Sequence, residues 1–407
     1  MPRLRLDVPL WLPGGPPATH LRFPPLGRDL SVDVAIVGGG ITGAAVAWRF
    51  ADAGLRVALV DGARVGRGST AASTALLMQE PDEDFTRLAR RYGERRTRRV
   101  WELCRLATRD FIRTLRRLHI SSDLVQRDSV YYAPTGEDAR HLRAEHRRRR
   151  AAGISGRWLD RAALRDVVGF DGAAAIRTPG DAQVDPYRAC IGLLRAAADR
   201  GARIFERSEV RSIRTSQRGV TLTTSRAAIH ADRVVIATGY ATPYFKPLAA
   251  RFRMLNTYVG ATRPLTSAER RRIGLGAVML WDTGRPYHYA RWTPDHRLML
   301  GGGDRPLLPE RIRPKVLRER VRAVHDHFVD LYPSLADIPL EWHWEGLFAT
   351  TPDGLPYIGP HRRYPRHLFA LGYGGNGMTF GFMAAGLLLD WYRGDRSADH
   401  DLFAFSR

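Results

Sequence analysis

A glycine-rich turn near the start of the chain restricts the possible fold more than any other feature. The β-branched segment 32–37 predicts a strand, and it ends at Gly38-Gly39-Gly40-Ile41-Thr42-Gly43. Residues 44–53 are small and apolar, as in a closely packed helix, and residues 56–60 predict a second buried strand that ends at Asp61. This order of strand, turn, helix and strand predicts a βαβ unit that binds a dinucleotide.

The three glycines of the G-x-G-x-x-G pattern have separate tasks in such a unit. Gly38 permits the tight turn, Gly40 lets backbone N–H groups approach a pyrophosphate, and Gly43 lets the helix pack closely on the strand. Asp61 lies near the roughly 20-residue spacing expected for the acid that binds ribose hydroxyls. The pattern suits FAD and NAD equally, so the choice between them depends on the rest of the chain.

The positive charge of the chain is almost entirely arginine. The 407 residues carry a net charge of +22, yet only Lys246 and Lys315 are lysines. The densest arginine runs, within 87–117 and 146–150, lie in helical patterns and are typical of solvated helix faces. We therefore do not expect a nucleic-acid partner.

The apolar runs and the metal-binding residue types exclude several classes of protein. No apolar run approaches the roughly 18–20 residues of a transmembrane helix, so we expect no transmembrane segment. Cys104 and Cys190 form no CxxC pair, and the thirteen histidines show no ligand spacing. The sequence therefore predicts neither disulfides nor a metal site, and a cytoplasmic protein.

Beyond the glycine turn, the sequence resembles the D-amino-acid oxidase superfamily of FAD enzymes. Within it, the similarity is greatest to the group of glycine oxidase, sarcosine oxidase and γ-glutamylputrescine oxidoreductase. Five segments carry the resemblance: the glycine turn with Asp61, Gly66-Arg67-Gly68-Ser69-Thr70-Ala71-Ala72-Ser73-Thr74-Ala75, Val234-Val235-Ile236-Ala237-Thr238-Gly239, Thr351-Pro352-Asp353-Gly354-Leu355-Pro356-Tyr357-Ile358-Gly359 and Gly372-Tyr373-Gly374-Gly375-Asn376-Gly377-Met378.

This resemblance implies an α/β fold with two interleaved domains. A Rossmann-like FAD-binding domain is expected from residues 1–95, 181–250 and 345–407. A mixed or antiparallel β-sheet substrate domain is expected as an insertion, formed by residues 96–180 and 251–344.

The resemblance also implies FAD as the cofactor and indicates which residues contact it. Relatives with covalent flavin attach it through a histidine or cysteine, which segments 69–74 and 344–348 lack. FAD is therefore expected to be bound non-covalently. The implied contacts are Gly38, Gly40, Thr42, Gly43, Asp61, Ser69, Thr70, Ala71, Thr74, Val210, Thr238, Gly239, Gly374, Gly375, Asn376, Gly377 and Met378.

The reaction implied by the resemblance is oxidation of a C–N bond by hydride transfer to flavin N5. The substrate would be a small-molecule amine or an N-substituted amino acid. The expected catalytic residues are Tyr289, Arg291 and Asn376. Further candidates for the substrate site are Tyr258, Trp281 and His288.

Two positions depart from the pattern of the family. Met299 stands where sarcosine oxidase has an oxygen-activating lysine, so both oxygen and a quinone stay open as the electron acceptor. Phe348 stands where glycine oxidase has an arginine that clamps the substrate carboxylate. We therefore expect poor activity on small α-amino acids, and better activity on larger amines or on N-alkylated compounds whose acid end reaches Arg291.

Three other functions remain open from the sequence. The first is C–O oxidation, as in a 2-hydroxy acid or glycerol-phosphate dehydrogenase of the same superfamily. The second is an RNA-modifying flavoenzyme, which only the net charge of +22 supports. The third is a flavin-bearing interaction protein without turnover.

Overall fold

The computed structural model describes residues 3–12 and 22–407. Its strands, in chain order, are β1 (Arg5–Leu6), β2 (Leu30–Val37), β3 (Val57–Val60), β4 (Leu76–Leu77), β5 (Val125–Ala133), β6 (Arg157–Leu159), β7 (Ala174–Gln183), β8 (Arg203–Phe205), β9 (Ser212–Thr215), β10 (Val220–Thr223), β11 (Ala228–Gly239), β12 (Arg253–Thr262), β13 (Val278–Asp282), β14 (His288–Trp292), β15 (Leu298–Pro306), β16 (Leu340–Thr350), β17 (Tyr357–His361) and β18 (Tyr364–Leu371).

The α-helices connect these strands and cover the sheets. They are α1 (Ile41–Asp52), α2 (Ser69–Ala72), α3 (Phe85–Tyr92), α4 (Glu94–Arg117), α5 (Gly136–Ala151), α6 (Arg161–Val168), α7 (Pro186–Ala198), α8 (Lys246–Ala249), α9 (Ser267–Ile273), α10 (Arg313–Leu331), α11 (Gly377–Arg393) and α12 (Ala398–Asp401). Throughout residues 3–12 and 22–407, each helix is too short or too polar to cross a membrane.

The smaller sheet contains the predicted βαβ unit. Its strand order is β17-β18-β11-β2-β3-β8, with the β9–β10 hairpin attached to β11. β2 pairs in parallel with β3 and β11, and every residue of β3 is buried, as expected for a parallel strand covered on both faces. α1 packs against α7 and α11, and its buried alanines permit that close approach. The predicted α/β class is confirmed.

The larger sheet forms the second domain. Among the described residues it contains ten strands, in the order β1-β16-β12-β15-β14-β13-β5-β7-β4, with β6 beside β7. Neighbouring strands are antiparallel except β5 and β13, which pair in parallel. α10 packs against β12 and β15, and its residues Leu317, Val321 and Phe328 are buried. The mixed sheet expected for the substrate domain is confirmed.

Several elements lie across the expected domain boundaries. β1 and β4 lie within residues 1–95, which are expected to belong to the FAD-binding domain, but both strands belong to the larger sheet. β7 and β16 run through the boundaries at 180 and 344, and α4 packs on α11 of the cofactor domain. β1, β4 and β16 all border the cavity between the sheets, so the two domains share residues there. Residues 1–2 and 13–21 of the first part lie outside the described residues.

Candidate active site

A cavity of about 1310 Å³ lies between the two sheets. Its walls include the carboxyl ends of β2, β3 and β11 in the smaller sheet, and parts of β12, β14 and β16 in the larger sheet. Ligands of α/β sheets bind at the carboxyl ends of parallel strands. The volume exceeds the roughly 300–1,000 Å³ of pockets for drug-sized ligands, so the cavity has room for a cofactor and a substrate together.

The glycine turn joins β2 to α1 at the cavity wall. Gly38 has a φ of 109°, which a residue with a side chain rarely adopts. A methyl group at Gly43 would overlap the carbonyl oxygen of Gly38 and come within 3.0 Å of its carbonyl carbon, so Gly43 is the point where α1 touches the turn. Gly38, Gly40 and Thr42 line the cavity. Gly43 does not, and its contribution is the close packing of the helix.

Asp61 follows β3 and also lines the cavity. Its Oδ2 accepts a hydrogen bond from the Gly39 N–H at 2.7 Å, and its Oδ1 accepts one from the Ala63 N–H at 2.8 Å. Each carboxylate oxygen has a second lone pair for a ribose hydroxyl. Val210, which is expected at the adenine, also lines the cavity, as do Thr238 and Gly239 at the end of β11.

Residues 69–74, which lead into β4, bring hydroxyl groups to the cavity. Two of these hydroxyls already form hydrogen bonds within the protein. The Thr70 hydroxyl accepts a hydrogen bond from the Ile41 N–H at 2.9 Å, and the Ser69 hydroxyl donates to the Leu347 carbonyl at 2.6 Å. These bonds fix the loop to α1 and β16. Ser69, Thr70 and Thr74 line the cavity, whereas Ala71 is fully buried in α2 and does not.

The turn before α11 forms the opposite part of the wall. Gly374, Gly375, Asn376, Gly377 and Met378 all line the cavity. The Asn376 amide donates hydrogen bonds to the carbonyls of Met78 and Glu80 at 3.0 and 2.8 Å. Asn376 therefore holds the segment after β4 against the start of α11, and its buried Oδ1 has no hydrogen-bond partner within the protein.

These residues fit an FAD molecule. The first turns of α1 and α11 both face the cavity, and neither Gly40 nor Asn376, the residues that precede them, caps its helix with a side chain. Unpaired N–H groups and the helix dipole attract negative charge at such ends. The α1 end suits the pyrophosphate, and the α11 end suits the negative charge of a reduced flavin. Asp61 supplies the acceptor for the ribose.

Aromatic side chains from the larger sheet form the substrate end of the cavity. Trp281, Tyr287, Tyr289 and Phe348 line it. The Tyr289 ring lies directly on Gly301, where a methyl group would overlap the ring. Trp281 is held by stacking on Tyr131, with ring centroids 3.8 Å apart. Of the predicted catalytic residues, Tyr289 and Asn376 therefore reach the cavity.

Two carboxyl groups at the substrate end are not predicted from the sequence. Asp82, after β4, accepts a hydrogen bond from the Gly375 N–H, and burial raises the pKa of Asp82 to about 7. Burial raises the pKa of Asp304 to about 6, and its Oδ1 is buried without a hydrogen-bond partner. The sequence does carry one signal for Asp304, which directly follows Gly301-Gly302-Gly303. Glycines within a strand mark a place where another group approaches the backbone closely.

Arg291 does not reach the cavity, which corrects the expectation that it binds the substrate. Its guanidinium donates to the carbonyls of Thr74 and Val184 at 2.7 and 2.9 Å, and Arg291 is 1% exposed. Burial lowers the pKa of Arg291 to about 9. Arg291 therefore holds the loop before β4 in place, and the carboxylate of a substrate cannot reach it.

Three further positions singled out in the sequence also lie away from the cavity lining. Tyr258 is fully buried beneath α10 with Leu317. Met299, in β15 of the larger sheet, is buried in the hydrophobic core that also contains residues of α1 and α11. His288 lies behind the cavity wall, against Asp282.

Known proteins resemble this chain along most of its length. The family model described as DAO, FAD dependent oxidoreductase, matches residues 33–391. The probable oxidoreductase OrdL of Haemophilus influenzae is 24% identical over 391 residues, which cover 92% of this chain and 86% of that protein. The γ-glutamylputrescine oxidoreductase of Escherichia coli is 24% identical over 384 residues, with the same two coverages. The crystal structure of glycine oxidase from Geobacillus kaustophilus has a TM-score of 0.77 at 24% identity, over 93% of this chain and 99% of that chain.

Proposed function

The chain belongs to the DAO family of FAD-dependent oxidoreductases, and from this premise we propose that it oxidises the C–N bond of an amine that carries a second positive charge. One observation carries the choice of substrate. Asp82 and Asp304 line the cavity beside Tyr287 and Tyr289, and their charges interact. A buried carboxylate is stable only when it is paired or protonated. Arg285 lies near Asp82 and His288 near Asp304, and each lowers the pKa of its neighbouring acid, but neither lines the cavity, so a cationic substrate supplies a partner from the cavity side.

The arginines of the cavity wall lie on other elements. Arg3, Arg5, Arg64 and Arg67 belong to the N-terminal segment and to the loop before α2. The Arg5 guanidinium is held there by the carbonyls of Arg67 and Asp7. Among the described cavity residues from β12 to β15, none is basic. This wall therefore attracts a cation and repels a carboxylate or a phosphate, which disfavours hydroxy acids, glycerol phosphate and RNA.

Asp304 is suited to bind the distal ammonium group of the substrate. One of its carboxylate oxygens interacts with the Thr257 side chain, and the other has no partner within the protein. An ammonium group would complete the hydrogen bonding of this oxygen. A charge-assisted bond of this kind contributes roughly 1.5–3 kcal/mol.

Asp82 is suited to take the proton of the reacting amine. An ammonium nitrogen has no lone pair, so it must lose a proton before the neighbouring C–H bond can give up a hydride. The pKa of Asp82, raised to about 7 by burial, lies close to the optimum for a base near neutral pH. When bound, FAD supplies the hydride acceptor. The aromatic rings of Trp281, Tyr287 and Tyr289 exclude water from the substrate.

The cavity lining, the cysteines and Met299 bear on the cofactor linkage, the cellular location and the electron acceptor. No histidine or cysteine is among the described residues that line the cavity, which supports non-covalent FAD. Cys104 and Cys190 are buried free thiols, which suits the cytoplasm. The position of Met299 in the core leaves oxygen and a quinone as equal proposals for the electron acceptor. One relative is named for an amine, γ-glutamylputrescine.

The substrate proposal predicts a preference for diamines. We expect kcat/KM for putrescine to exceed that for glycine, D-alanine and sarcosine by at least about 10-fold, with a dye acceptor as well as with oxygen. Asp304→Asn should lower kcat/KM for putrescine by about 10- to 100-fold. The same variant should affect butylamine, which lacks the second charge, much less. A wild-type preference for glycine or D-alanine would contradict the proposal.

The proton-acceptor role predicts a specific change in the pH profile. Because the pKa of Asp82 is raised to about 7, its carboxyl is protonated below that pH and cannot accept a proton. Wild-type kcat/KM should therefore fall as the pH drops through about 7, and Asp82→Asn should lack this step at a lower overall rate. The control is Glu83→Gln, the neighbouring acid that does not line the cavity. This variant should keep the step, at a somewhat lower pH, because the charge of Glu83 helps to raise the pKa of Asp82. Persistence of the step in Asp82→Asn would exclude this role.

A further inference from the structure

Three potential metal ligands meet behind the wall of the cavity. Asp282 ends β13, His288 begins β14, and His327 lies near the end of α10. The Asp282 Oδ2 lies 3.2 Å from the His288 Nδ1 and 3.8 Å from the His327 Nε2. All three ligand atoms lie within 4.8 Å of one another. The sequence separates His327 widely from the other two residues, so no ligand spacing was visible in it.

The carboxylate is held in one orientation. Asp282 is 2% exposed, and its Oδ1 accepts hydrogen bonds from the N–H groups of Gly284 and His288 at 2.9 and 3.1 Å. These bonds direct Oδ2 toward the two imidazoles. Metal sites in proteins commonly use such supporting hydrogen bonds to orient a ligand.

The two imidazoles lie against each other beside the carboxylate. The His288 and His327 rings are stacked, with centroids 3.9 Å apart and planes at 17°. Because an imidazole nitrogen binds a metal in the plane of its ring, one of the two rings must turn for both to reach the same ion. The His327 Nε2 is buried without a hydrogen-bond partner.

We propose that Asp282, His288 and His327 bind a divalent transition-metal ion of the Zn²⁺ type. Ligand bonds of about 2.0–2.1 Å in a tetrahedron put ligand atoms about 3.3 Å apart. The His288 Nδ1 is already at this distance from the Asp282 Oδ2, 3.2 Å, and the His327 Nε2, at 3.8 Å, would move closer when an ion binds. Imidazole and carboxylate ligands suit Zn²⁺ and its first-row neighbours better than Mg²⁺. Both imidazoles are partly exposed, so an ion can enter and water can take the fourth position.

An ion at this site would attach the β13–β14 turn to α10. That turn carries Tyr287 into the cavity, where its hydroxyl lies against Gly375. The ion would therefore fix the position of one wall of the substrate end without touching the substrate. This assignment does not depend on which amine the enzyme oxidises.

The test measures metal binding to the FAD-loaded protein without an affinity tag. After treatment with a chelator, equilibrium dialysis against Zn²⁺ should show one saturable ion per chain. His327→Gln and His288→Gln should each weaken binding by at least about 10-fold. The matched control is His325→Gln, on the same helix two residues away and outside the ligand group, which should bind Zn²⁺ like the wild type.

Thermal stability provides a second readout. Saturating Zn²⁺ should raise the Tm of the wild type and of His325→Gln, because a ligand that binds the folded state stabilises it. Mg²⁺ should not raise it, and neither ion should raise the Tm of His327→Gln. Absence of saturable Zn²⁺ in the wild type, or unchanged binding in both His327→Gln and His288→Gln, would overturn the assignment.

Discussion

Gly43→Ala is expected to be purified with less than about a tenth of the wild-type FAD content. The added methyl group would overlap the carbonyl oxygen of Gly38. The turn has little room to adjust, because the backbone of Ala237 lies close to Gly38, where an added methyl group would come 2.7 Å from the Ala237 carbonyl oxygen. α1 would have to move off β2, and its N-terminus would leave the position where its N–H groups face the pyrophosphate.

The measurement is the absorbance of bound flavin per chain after gel filtration. The control is Gly386→Ala in α11, where the nearest atom to an added methyl is the Arg49 Nη1 at 3.5 Å, an ordinary contact. This variant should keep its FAD and gain up to about 1 kcal/mol of stability from the better helix former. If folded Gly43→Ala retained its full FAD content, the close contact between α1 and the turn would not be required.

Arg407→Met is expected to lower the free energy of unfolding by about 3–5 kcal/mol at pH 7. The Arg407 guanidinium binds Asp353 through two bonds, of 2.7 and 3.0 Å, and both side chains are almost fully buried. Removing the cation leaves the carboxylate with hydrogen bonds from Tyr92 and Thr351 but with no opposite charge. Urea denaturation followed by circular dichroism measures the change.

The pH dependence of this loss has a defined sign. Burial alone would raise the pKa of Asp353, but the hydrogen bonds and charge of Arg407 outweigh it and hold the pKa below its usual range. The pair therefore stabilises the fold above the unfolded-state pKa of about 3.9 and loses this contribution as the pH falls below it. The difference between wild type and variant should therefore shrink as the pH falls below about 4. Arg362→Met, at an exposed arginine, should change stability by less than about 0.5 kcal/mol.

The sequence predicts the cofactor site better than the substrate site, and the difference has a physical origin. The glycine turn is local: Gly38, Gly43 and Asp61 meet because one strand, one helix and the next strand follow each other directly. Gly40 lines the cavity, and within the protein an added methyl there would meet only the Thr70 hydroxyl, at 3.0 Å. The tighter contact is at Gly43, where two backbone segments touch.

The substrate end depends on which elements cover the larger sheet, and strand alternation does not determine that. Tyr289 and Arg291 are two residues apart in β14, so both point to the same face. Tyr289 meets the cavity, whereas Arg291 meets the carbonyls of Thr74 and Val184. Asp82 reaches the cavity because Asn376 holds the preceding segment, an interaction between residues nearly 300 positions apart.

The bond between Asp82 and the Gly375 N–H makes this acid a poor starting point for engineering new specificity. Any substitution there alters the substrate end and, at the same time, the glycine turn that leads into α11. Asp304 has no comparable hydrogen bond to the turn before α11, and one of its oxygens has no hydrogen-bond partner within the protein. Phe348, in β16, also lines the cavity. A combinatorial library intended to redirect the enzyme toward carboxylate-bearing substrates should therefore vary Asp304 and Phe348 together and keep Asp82 constant.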